Sequence, residues 1–204
     1  MAEVALTEVA LTELPLFPLS SVLFPGGTLG LRIFEPRYLD LVKRCGRSGE
    51  GFGICLILEG REAGMPAVPA ALGTEAAIVD FAMTDDGLLG LTVQGRRRFH
   101  VERTRVKADG LILADVRWLD EPAPQPLRPE HALLSTLLAR IMDKAGIEHE
   151  GDGKGQLAQA DTVGWRLAEW LPLSAAERQW LLQMDCPHER LQQLVLKLPE
   201  FQEE

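Results

Sequence analysis

Four prolines, Pro122, Pro124, Pro126 and Pro129, fall within eight residues of the segment DEPAPQPLRPE, Asp120 to Glu130. Proline fixes its own φ and has no N–H to donate, so neither a helix interior nor a central strand can run through such a stretch. The chain must change architecture there. Before it, short apolar runs are broken by Gly, Pro and Asp, as in strands. FGICLIL, Phe52 to Leu58, is almost continuously apolar, the pattern of a strand buried on both faces. AIVDFAM and LLGLTV flank Thr84–Gly87, while RRFHVERTRV and LILADVRWL flank Lys107–Gly110. Each connection ends in Asp-Gly, which predicts two hairpins.

After the prolines the spacing becomes helical. Leu133, Leu134, Leu137, Leu138, Ile141, Met142 and Ala145 lead to Gly146, placed where a helix C-terminus wants glycine. Val163, Leu167, Trp170 and Leu171 predict a second helix, capped by Asp161 and ended by Pro172. Ser174 and Glu177 form an S-x-x-E capping box ahead of a stripe at Ala176, Trp180, Leu181 and Met184. Leu191, Leu194, Val195 and Leu198 predict the last helix. The expected order is therefore a variable lead-in over residues 1–12, a strand domain over 13–120, a linker over 121–130 and a helical domain over 131–204. The lead-in contains EVALT twice in tandem, and two copies of five residues are too few for a solenoid.

The net charge of −9 weighs against nucleic acid and anionic membrane as partners of the whole surface. The first residues have neither a basic region nor a long apolar run, so neither a leader peptide nor a membrane anchor is expected. Cys45, Cys55 and Cys186 never form a C-x-x-C pair, which argues against disulfide and thiolate-metal frameworks and for a reducing cytoplasm. His100, His131, His149 and His188 lack the H-x-x-x-H spacing of a zinc site. No G-x-S-x-G elbow surrounds any serine. EGDGKGQ, Glu150 to Gln156, lacks both the first glycine and the hydroxyl residue of a phosphate loop and is expected to be a flexible connection. No cofactor, metal or catalytic group is expected.

GRRRFHVERTRVK carries Arg96, Arg97, Arg98, Arg103, Arg105 and Lys107 against a single acid, Glu102. On a strand this makes a basic ladder that could dock RNA or an acidic partner. The favoured reading is a solvated strand whose arginines pair with the chain's own acids.

VLFPGGTLGLRIFEPRYLDLV, Val22 to Val42, compresses a turn, a strand and a helix start. Pro25-Gly26 suits the centre of a type II turn. Leu29, Leu31 and Ile33 then face one way and Thr28, Gly30, Arg32 and Phe34 the other, so Arg32 lies on an open face. Glu35 and Pro36 suit the N-cap and first helical position, with Phe34 and Leu39 as a hydrophobic staple.

Together LPLFPLSSVLFPGGTLGLRIFEPRYLDLV, GFGICLI, LGTEAAIVDF, LLGLTVQGRRRFHV, WLPLSAAERQWLLQMD and ERLQQL resemble the Lon protease N-terminal domain family over about residues 13–198. The resemblance implies an α+β fold: a PUA-like, mostly antiparallel β pseudobarrel with an inserted helix, followed by a C-terminal helical bundle. It implies a non-catalytic module binding unfolded or partner proteins and peptides. With no Walker motif and no room for a Ser-Lys dyad, the expectation is a free-standing, proteolysis-related adaptor. The loop GREAGMPAVPAAL, Gly60 to Leu72, is expected to vary across the family. The residues proposed to meet a partner are Arg32, Phe34, Arg97, Arg98, Arg103 and Trp165. RNA binding through Arg96–Lys107 is the alternative, and a weak homodimer is left open. Trp165 lies off its helix's apolar stripe, so it is either a second packing contact or an exposed anchor.

Overall fold

The computed structural model describes residues 10–84, 86–147, 155 and 157–201. The strand part runs β1 (Thr12–Leu19), β2 (Thr28–Ile33), α1 (Pro36–Ser48), β3 (Phe52–Glu59), β4 (Val68–Met83), β5 (Leu89–Val106) and β6 (Ile112–Trp118). The helical part runs α2 (Ala132–Lys144), α3 (Ala160–Trp170), α4 (Ala175–Leu182) and α5 (Pro187–Lys197), with 3-10 turns at Pro129–His131 and Leu198–Phe201.

The strands are hydrogen-bonded in the order β2-β5-β4-β3-β1-β6, and β6 pairs again with β5. Every pairing is antiparallel except that of β1 with β3, whose crossover is made by β2 and α1. Five strands thus close a cycle. The 18 residues of β5 make this possible: Leu89–Gln94 pair with β2, and Phe99–Val106 pair with β6 on the same edge. β2 is left hydrogen-bonded on one side only.

Local signals explain the element ends. Gly26 has φ +72°, and Gly27 N–H closes the turn on Phe24 O at 2.9 Å. The two hairpins close through Gly87 and Gly110, both at positive φ, which donate to Thr84 O and Lys107 O. Gly146 turns left-handed after α2, with Ile147 N–H reaching Met142 O, a Schellman closure. In α4 the Ser174 hydroxyl accepts from Glu177 N–H while the Glu177 carboxylate accepts from Ser174 N–H, the expected reciprocal box.

Three apolar clusters form the core. Phe17, Leu31, Ile33, Tyr38, Leu41 and Phe52 pack between the strands and α1. Leu14, Leu16, Cys55, Phe99, Ala114 and Val116 fill the closed cycle. Leu134, Leu138, Val163, Leu167, Leu191 and Leu194 join the helices, and this cluster takes in Val22, Phe24, Leu56 and Ala70 from the strand part.

Several expectations change. β1 begins at Thr12, inside the second EVALT copy, because Thr12 pairs with Val116; residues 3–9 lie outside the described residues. Val68 to Leu72, read as loop, already belong to β4. The proline segment is stitched to the helices by Leu127 N–H to Ala158 O (2.7 Å) and Ala160 N–H to Gln125 O (2.8 Å). Gln159, not Asp161, is the N-cap of α3, and Asp161 accepts from Gln125 N–H instead. In α4 the covered residues are Gln179, Leu181 and Leu182, whereas Ala176 and Trp180 are exposed. Gln179 is drawn inward because its amide donates to Leu72 O at 2.9 Å. Apart from Gly155 the EGDGKGQ segment falls outside the described residues. No helix among the described residues is long and apolar enough to cross a membrane.

Candidate functional site

The turn before β2 is held from both sides. Gly26 N–H donates to Gly95 O and Gly95 N–H to Gly27 O, so a Cβ at Gly95 would run into Phe24 O. From α3, Arg166 donates to Gly26 O and pairs with Glu169 at 2.8 Å, and Glu169 accepts from Thr28 N–H at 3.3 Å. The start of β2 is therefore fixed by the helical part.

β6 pairs with β1 only as far as Leu16, so beyond it the end of β1 and the free side of β2 border a groove of about 360 Å³. Its floor is Phe17, Leu31 and Tyr38, with the Phe17 and Tyr38 rings stacked 4.0 Å apart. Arg32, Phe34, Glu35 and Glu62 stand around it. Phe34 is 56% exposed, so the proposed staple leaves most of its ring in solvent. Arg32 is exposed and paired with Asp86.

Glu35 occupies the N-cap of α1, yet its side chain makes no capping bond. Instead it pairs with buried Arg37 at 2.9 Å, and Arg37 also donates to Gly110 O at 2.9 Å. Glu35 further accepts from Gly64 N–H at 3.4 Å, drawing the loop after β3 over the groove. Glu62 accepts from Ser20 N–H at 2.7 Å and from the Ser20 hydroxyl. Burial pushes the Tyr38 hydroxyl above its ordinary pKa, keeping it neutral. The groove thus offers apolar surface, an aromatic rim and carboxylates.

The basic strand divides into three environments. Arg103 and Arg105 share Asp115, Arg105 also reaches Glu13, Arg117 pairs with Glu102, and Lys107 pairs with Asp109. Arg97 pairs with Glu75 at 3.1 Å and lies 3.6 Å from the centre of the Trp118 ring. Arg98 is wholly buried. It donates to Leu182 O (2.9 Å) and Met184 O (3.2 Å), and pairs with Glu121 (2.8 Å) and Asp185 (3.1 Å). The sequence reading of Arg98 as a surface contact is corrected: at this point of β5 Phe99 packs into the closed cycle and Arg98 reaches the end of α4, so neither of these two side chains meets solvent.

Trp165 is also removed from the surface. It is 6% exposed, with the Arg190 guanidinium 3.1 Å over its ring and Phe24 5.6 Å away. It is a packing contact between the two parts of the chain, and the exposed-anchor reading falls. Burial first, and the Arg98 charge second, lower the pKa of Arg190. Of the six residues singled out in the sequence, only Arg32 and Phe34 meet at one groove. Glu62 and Tyr38 escaped notice there, Glu62 because its loop has no periodicity and Tyr38 because it reads as ordinary core.

Among the described residues no group of three His, Cys, Asp or Glu could hold a metal ion. Cys45 and Cys55 are buried, and desolvation raises both thiol pKa values.

The model of the ATP-dependent protease La (LON) substrate-binding domain matches residues 13–198 of the 204. The chain belongs to this Lon substrate-binding domain family. A Lon N-terminal domain protein from Xanthomonas campestris is 52% identical, the match covering 91% of this chain and 98% of that one, with a TM-score of 0.76. The N-terminal domain of the Mycobacterium avium complex Lon protease has the same fold at 18% identity, covering 90% and 96% of the two chains with a TM-score of 0.66. The Lon-type fold is thus a strand sheet joined to helices, and the groove described here lies within the family match.

Proposed function

We propose that this chain is a non-catalytic recognition module that holds unfolded protein segments in the groove between β1 and β2. The observation that carries the reading is the exposed Phe34 ring at the rim of an apolar-floored groove, in a chain of the Lon substrate-binding family. An adaptor role in cytoplasmic proteolysis and a PUA-like pseudobarrel formed by the closed strand cycle belong to the same proposal. The arginines of β5 favour it over RNA binding, since Arg97, Arg98, Arg103 and Arg105 are already paired with acids.

The test is fluorescence anisotropy with labelled, reduced and carboxymethylated α-lactalbumin, which stays unfolded. Phe34→Ser is expected to weaken binding several-fold without moving the thermal midpoint, because that ring contributes little to the core. Equal binding by the variant sinks the groove as the site, and cleavage of the probe by the purified chain sinks the non-catalytic reading.

A further inference from the structure

We propose that the free edge of β2 takes up an extended basic and apolar peptide as an added strand. This rests on the recognition function above and specifies how the segment is held.

In an antiparallel pair, alternate residues turn their N–H and C=O groups toward the partner and away from it. Thr28 stands opposite Gln94, so Gly27 stands opposite Gly95, and Gly95 N–H donates to Gly27 O at 2.9 Å. The same parity makes Leu29, Leu31 and Ile33 bond to β5, and leaves the backbone groups of Thr28, Gly30 and Arg32 pointing outward. Thr28 shows this directly, its N–H reaching Glu169 rather than β5. For Gly30 and Arg32 no group among the described residues takes the outward N–H. Gly30 is exposed and β2 has no strand on its outer side, so a chain has room to approach. An unpaired strand edge with open space beside it is a template for strand addition.

Charge selects the occupant. Arg32 is neutralised by Asp86 and Glu35 by Arg37. Glu62 hydrogen-bonds only to Ser20 and has no cation at ion-pair distance among the described residues. The uncompensated charge at the groove is therefore negative. An added strand would set alternate side chains over Phe17, Leu31 and Tyr38, where apolar groups suit, and a lysine or arginine on it would complete Glu62. A polyanion meets the wrong sign here.

The test uses the full chain and a labelled, end-capped ten-residue peptide alternating Val with Lys, in fluorescence anisotropy. Two twins carry backbone N-methyl groups, one on its Val residues and one on its Lys residues, so each loses the donors of a single edge. Strand addition predicts that one twin binds at least ten-fold more weakly than the parent while the other stays within about three-fold. Equal behaviour of the twins, whether both bind or both fail, overturns the proposal. Gly30→Pro removes the outward donor without touching the bonds to β5 and is expected to cost at least ten-fold; the twins carry the test on the native chain should that variant not fold. If the parent peptide fails while carboxymethylated α-lactalbumin binds, strand addition is wrong and the recognition function stands. If neither binds, both are wrong.

Discussion

Replacing Arg98 by Met keeps an unbranched apolar stem but removes every polar contact that Arg98 makes with the end of α4. The guanidinium donates to the carbonyls of Leu182 and Met184, at and just beyond the α4 C-terminus, where the helix has no partners of its own and carries partial negative charge. Without Arg98 the Leu182 carbonyl is stranded out of water, which costs about 1–3 kcal/mol. Met184 O keeps its bond from the Arg190 guanidinium at 2.7 Å and adds little. Glu121 and Asp185, 34% and 85% exposed, can turn to solvent and add little. For a chain of this size the loss corresponds to a fall of roughly 2–12 °C in the thermal midpoint. Urea and thermal unfolding followed by circular dichroism read it. Arg98→Lys, which keeps the charge but not the fork, should recover only a minor part. A loss below about 1 kcal/mol for the Met variant would refute the assignment of Arg98 as the clasp between β5 and α4.

Gly26→Val should cost about 1–3 kcal/mol, since a β-branched residue is forced to positive φ, while Arg32→Ala should cost under about 1 kcal/mol because its pair with Asp86 is exposed; a reversal of that order in urea midpoints rejects the turn and open-face assignments. His188 stacks on His131 with ring centres 5.7 Å apart, and burial first, then Arg128 and His131, hold its pKa below 6.5 against the opposing pull of Glu130 and Asp161. The folded state then binds fewer protons than the unfolded one, so stability is whole above pH 6.5 and falls as the pH drops through the folded value. His188→Gln should flatten that decline between pH 7 and pH 5, and an unchanged slope would remove His188 as its source.

What the sequence disclosed were the features written in short-range chemistry. Pro25-Gly26, the Ser174 and Glu177 box, Gly146 and the prolines after Asp120 each satisfy a backbone need within a few residues, so each can be read without knowing what packs above. Arg98 could not be read this way. Its place depends on β5 being covered on both faces at this point and on bulges against β4 and β6 that shift the alternation. Trp180 failed for a related reason: over eight residues the apolar stripe of α4 competes with one buried glutamine whose partner, Leu72 O, lies on a distant strand. The groove was half legible, because Arg32 and Phe34 follow from strand alternation while Glu62 arrives from an irregular loop.

The free edge of β2 follows from the sharing of β5. Its first part serves β2 and its last part serves β6, both on one side, so the cycle can close through β6 while β2 lies outside the ring. Exposed edges invite aggregation, and proteins shorten or charge them. β2 does both: it has six residues, Glu169 occupies the Thr28 donor, and Arg32 and Asp86 set a fixed ion pair beside it. What remains open is confined to Gly30 and Arg32. An edge of two residues can pair only a short stretch of backbone, which gives little affinity on its own and leaves selection to the side chains over Phe17, Leu31 and Tyr38 and to Glu62. On the proposed recognition function, backbone pairing would be common to every extended segment, while the few side-chain contacts would set the preference among them.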